Sequence, residues 1–136
     1  MKLSYLSILV PLLLPLSSAH AAENRDAAMS IKLYQVLTTA GAFASECNAH
    51  EGAEKAAYKS AIATVTDVTA KTVSEVRPEM TEADARDELG VLTKAINEKT
   101  KAAIEQDGCN SELAQSMIDR YHELLKEDFS TLKSSS

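Results

Sequence analysis

The sequence predicts an all-α protein, a four-helix up-down-up-down bundle closed by one disulfide. Breakers at Gly52, Pro78 and Gly108 divide the chain into four stretches, each breaker lying where a helix could not comfortably continue. Within each stretch the apolar residues recur at three- and four-residue steps, the period of a helix that buries one face. Cys47 closes the first stretch and Cys109 opens the fourth. In this connectivity those two places meet at the same end of adjacent helices.

The N-terminal element comes first. Met1-Lys2-Leu3 carries one positive charge, Tyr5 to Leu16 is almost free of polar atoms, and Ser17-Ser18-Ala19-His20-Ala21 ends in a small-x-small site. These are the three regions of a secretory signal peptide. The apolar run is shorter than the ~20 residues of a transmembrane helix, and Pro11 and Pro15 would break it. The expected division is a signal at 1–21, a single helical domain at 22–133 and a serine tail at 134–136. With no cysteine at the cut, no lipid is attached there. The protein is expected in the periplasm or outside the cell, without membrane insertion.

The first helix is predicted near 28–47, with Met29, Leu33, Val36, Leu37, Ala40, Phe43, Ala44 and Cys47 on its buried stripe. In the second stretch Tyr58, Ile62, Val65, Thr69, Val73 and Val76 keep the period until Arg77-Pro78 ends it. So many β-branched residues also suit a strand, but strict alternation is missing, and the reading is helix. Thr81-Glu82-Ala83-Asp84 forms a cap for the third helix, whose stripe is Ala85, Leu89, Leu92, Ile96 and Ala103. Asn110 or Ser111 caps the fourth, with Leu113, Met117, Tyr121, Leu124 and Leu132 as its buried stripe. Ile118, Leu125 and Phe129 fall on the far flank, with His122 between them. That arc is wider than the ~100° a bundle helix must bury. Either the flank packs on the third helix or an N-terminal arm, or it is a ridge for a partner helix or a second copy. Ile118, His122, Leu125 and Phe129 are accordingly the candidate partner-binding residues.

An exported chain whose only two cysteines are brought together by its topology is expected to join Cys47 to Cys109. Closing a loop of about 60 residues contributes ~4 kcal/mol in the chain-entropy view, which matters for a core of Ala, Val and Thr. The whole chain is 136 residues, 45% hydrophobic and 25% charged, enough for one soluble domain. A net charge of −6 makes a nucleic-acid surface improbable.

Chemistry is sparsely represented. Past the signal only His50 and His122 remain among the histidines. The chain holds no CxxC, HExxH, CxxCH or GxSxG motif and no glycine-rich phosphate loop. His50, beside Glu51 and near Glu46 and Asp107, reads as a solvated loop histidine rather than a metal ligand. Asp119-Arg120-Tyr121-His122 is one imperfect copy of the Glu-x-x-His unit of di-iron bundles. The reading is therefore a non-enzyme with no cofactor and no metal.

Two resemblances bear on function. A helix running from Leu37 to Glu46-Cys47-Asn48, two central helices and the segment Asp107-Gly108-Cys109-Asn110-Ser111-Glu112-Leu113 together resemble the layout of the PulS/OutS pilotin-type family. That resemblance implies a non-catalytic protein that binds a short partner helix in a groove, here as a soluble, non-lipidated relative. Met29 near the start of the first helix, with Tyr121-His122 late in the last, resembles the cytochrome b562 class. There a Met and a His ligate haem, which implies Met29 and His122 here; Met29 as core filler is the competing reading. The expected function is an exported protein-binding module — an adaptor, a chaperone or an immunity-type inhibitor. A haem- or metal-carrying bundle is the alternative, and a homodimer is a further option.

Overall fold

The computed structural model describes residues 21–132, so the expected signal, apart from Ala21, and the expected tail lie outside them. Four helices follow in order: α1 (Ala21–Glu46), α2 (Gly52–Val76), α3 (Glu82–Asp107) and α4 (Glu112–Leu124). A single 3-10 turn, Phe129–Thr131, comes after them. None of these helices is long and apolar enough to cross a membrane.

The ends are set by local chemistry. After α1, Asn48 turns into the left-handed region at φ 51°, and the N–H groups of Asn48 and Ala49 bond back to Ser45 and Ala44. That pairing closes the last turn as a Schellman motif. Before α3, the Thr81 hydroxyl accepts the Asp84 N–H at 3.0 Å while the Asp84 carboxylate accepts the Thr81 N–H at 3.1 Å, a reciprocal capping box. Ser111, rather than Asn110, caps α4 by accepting the Ala114 N–H at 3.1 Å. In α2 the Thr66 hydroxyl is accommodated within the helix, donating to the Ile62 carbonyl at 2.6 Å.

Successive helices run antiparallel, giving an up-down-up-down bundle with α1 at its hub. α1 packs against α2, α3 and α4, and α2 packs against α3, whereas α3 and α4 share no extensive face. Thr69 of α2 donates to the Ser30 carbonyl of α1 at 3.3 Å. The Tyr34 hydroxyl of α1 donates to the Leu89 carbonyl of α3 at 3.2 Å and shares a short hydrogen bond with Thr93. The main core gathers Ile31, Tyr34, Leu37, Val65, Val73 and Leu89. Cys47 and Cys109 are joined, with Cα atoms 5.7 Å apart.

Three expectations need correction. α1 begins at Ala21, not near 28, and it buries far more than a stripe: from Ile31 to Ala44 only Lys32 is exposed. Met29, placed on that stripe, is 68% exposed. α4 ends at Leu124, so Leu132 belongs to no helix; it packs on the core beyond the 3-10 turn. The buried face of α4 is also rotated from the expected one. Ala114, Ile118 and Tyr121 are buried while Leu113 is 52% exposed, because α4 seats on Ala40, Phe43 and Ala44 of α1 and meets α3 only at Ala103 and Ile104.

Candidate functional site

Because α3 and α4 both lean on α1 and meet only near the disulfide, where Ala103 and Ile104 reach Ala114 and Ile118, a furrow remains between them. Its floor is the α1 row Ala27, Ile31, Gln35, Thr39 and Phe43, spaced four residues apart along one helix face. One wall is α3, from Ala85 to Asp107 and including Val91 and Leu92; Leu113 and Met117 of α4 bound the other side near the disulfide. The groove encloses about 810 Å³. It runs about 24 Å along α1 at 1.5 Å per residue. Val91, 67% exposed, and Leu113, 52% exposed, both line it, so two of the large apolar side chains most open to water face one cleft. An apolar cleft between helices of a bundle is where such folds place ligands and partner segments. The sequence pointed to α4 alone. The missed signal lay in α3, where Val91, Leu92, Ala95 and Ala102 extend the apolar arc past what α1 and α2 cover.

The four candidate partner-binding residues do not form a ridge. Ile118 is 7% exposed and packs with Phe43 and Ala114. Leu125 rests half-buried on Ala40, Ala44 and Tyr121, and Phe129 packs against the main core. Since the helix stops at Leu124, the helical spacing that placed Leu125 and Phe129 beside Ile118 does not continue to them. The flank packs inward: Ile118 against α1 and against Ala103 and Ile104 of the third helix, Leu125 and Phe129 on the α1–α2 side.

His122 belongs to a polar cluster at the α2–α4 contact. Its Nδ1 donates to Glu54 Oε2 at 2.5 Å. The other carboxylate oxygen of Glu54 accepts the Glu51 N–H at 3.1 Å. These bonds, the backbone one foremost, hold the Glu54 carboxyl below its usual range. Fully buried Tyr121 lies beneath, its hydroxyl donating to the Glu54 carbonyl at 3.4 Å and 3.3 Å from His50 Nδ1. Tyr58 packs on Tyr121 with ring centroids 5.6 Å apart. Burial pushes the Tyr58 hydroxyl up to about 12 and that of Tyr121 upward as well. The His122–Glu54 and Tyr121–Glu54 bonds join α4 to α2, so the cluster reads as an interhelical clamp. His50 is thus a packed partner of Tyr121, not the solvated loop residue the sequence suggested.

The haem pairing finds no geometry. Met29 points to solvent near the start of α1, whereas His122 is engaged by Glu54 across from the other half of that helix. Among the described residues no group of three or more His, Cys, Asp or Glu side chains is arranged to hold a metal ion. Comparison with protein-family models, with curated proteins and with solved structures finds nothing that matches this chain.

Proposed function

We infer that this is an exported, non-catalytic binding module that receives an apolar segment of a partner protein in the α1–α3–α4 groove. The observation that carries the reading is the groove itself: a 24 Å furrow, roughly, whose two walls hold Val91 and Leu113 open to water. Exposing large apolar side chains is unfavourable unless something covers them, and contiguous apolar surface marks contact sites. The disulfide supports an oxidising compartment, in keeping with the expected signal peptide. Helix capture in a groove is also what the pilotin-type resemblance implies, and it suits an adaptor, a chaperone or an immunity-type inhibitor alike.

The test is site-specific photocrosslinking in the native exported compartment. A crosslinker at Val91 should join one defined protein, while the same group at Asp119, on the exposed face of α4, should not. Equal crosslinking from both positions, or none from Val91, overturns the assignment of the groove.

A further inference from the structure

We propose that the segment taken by the groove is a single α-helix of about five turns carrying a basic side chain near each end; this rests on the groove being the binding site. Three features of the furrow select that occupant. The first is what the walls offer. Along the α1 floor and most of the α3 wall the main-chain groups are paired within the helices, and only the ends, where Arg77 and Met80 of the α2–α3 connection line the groove, depart from this. An extended guest would have to bury its own N–H and C=O groups unpaired, whereas a helix satisfies them internally.

The second is shape. The floor is an i, i+4 row on α1, and the α3 wall repeats Ala85, Leu89, Leu92 and Ile96 at three- and four-residue steps. Rows of this kind leave channels into which the ridges of another helix fit. The vacancy between α3 and α4 is also the place where one more helix would complete the layer around α1.

The third is charge. Four ionised side chains edge the groove: Arg77, Glu88, Lys99 and Asp107. The two basic ones are already engaged within the protein. Among the described residues Glu88 and Asp107 make no ion pair. They stand on α3 toward opposite ends of the groove, and at 1.5 Å per residue they lie about 28 Å apart. The unmatched edge is therefore acidic at both ends, and it calls for a guest that is basic at both ends.

The experiment uses the disulfide-intact protein from Ala22 onward and fluorescence anisotropy with three labelled amphipathic peptides of about 22 residues. One carries Lys near each end, the second Glu at those positions, and the third is the Lys peptide with a central proline that breaks the helix. The Lys peptide should bind in the micromolar range, and the Glu peptide about tenfold more weakly at low salt. The proline peptide should not bind measurably. The double variant Glu88→Lys with Asp107→Lys should reverse the order of the first two; both residues are exposed, so its helicity and melting should stay near wild type. Equal binding of the Lys and Glu peptides, or of the proline peptide, overturns the proposal. So does a long-chain fatty acid binding where no peptide does, which would make the groove a lipid site. If Val91 crosslinks a protein while the peptides show no preference, the groove stands and the basic-ended helix falls. If both experiments fail, the groove itself is misassigned.

Discussion

Tyr58 lies across Gly41, whose missing side chain leaves the slot for the ring: a Cβ built on Gly41 would overlap the ring's outer edge. Gly41→Ala should therefore push the ring outward. The strain of ~1–3 kcal/mol exceeds the ~1 kcal/mol that alanine gains in helix propensity, so the melting temperature should fall. Tyrosinate absorbance should show the Tyr58 titration moving from about 12 back toward 10. The same group makes the wild-type protein sensitive to base. A raised folded-state value means the folded chain holds its proton longer than the unfolded one. Its contribution is whole below pH 10 and is lost as pH climbs from 10 through about 12, a loss of at most ~3 kcal/mol readable from melts across that window. Burial acts differently at Thr72, whose hydroxyl is buried without a hydrogen-bond partner among the described residues. Thr72→Val keeps the shape and removes the unmet group, so stability should hold or rise by about 1 kcal/mol; no alternation pattern in the sequence could have marked that site.

Among the elements, α4 separates what the sequence reveals from what it conceals. Its start was legible, because Ser111 caps it through local chemistry. Its buried face was not, since Leu113-Met117-Tyr121 and Ala114-Ile118-Tyr121 both satisfy a helical period. Only the seat on Ala40, Phe43 and Ala44 decides between them. Its end was equally hidden: no glycine or proline follows Leu124, and Phe129 and Leu132 fold back onto the core instead. Ile118→Asp should thus cost more than ~3 kcal/mol by burying an unpaired charge and abolish a cooperative melt. Leu113→Asp, on the open groove wall, should shift the melt by no more than about 0.5 kcal/mol. The reverse result would restore the face expected from the sequence. α1 carried a clearer signal than the stripe read from it. Lys32 is the only charge between Ala27 and Ser45, and a helix apolar around most of its girth belongs in the middle of a fold.

For the whole molecule, fold class, helix order and the Cys47–Cys109 bond were readable because each follows from local breakers, period and connectivity. The groove was not, because it exists only where α3 and α4 fail to meet, and no single element records a gap. The disulfide bridges 62 positions of chain and should contribute about 4 kcal/mol. Reduction should lower the melting temperature markedly, and calorimetry with and without reductant measures it. An unchanged melt would mean that packing alone fixes the end of α1 against the start of α4.

The hub position of α1 also bears on the order in which the chain is made. Of the four helices it leaves first, yet its neighbours α2, α3 and α4 all come later. Until α4 arrives, Ala40 and Ala44 lack the cover of Met117, Tyr121 and Leu124, and the disulfide cannot form before Cys109 has emerged. A nascent chain stopped after Asp107 therefore presents an apolar helix flank beside a free Cys47 thiol. Such a fragment should aggregate or form intermolecular disulfides, so the first helix stays at risk until the last one has been made.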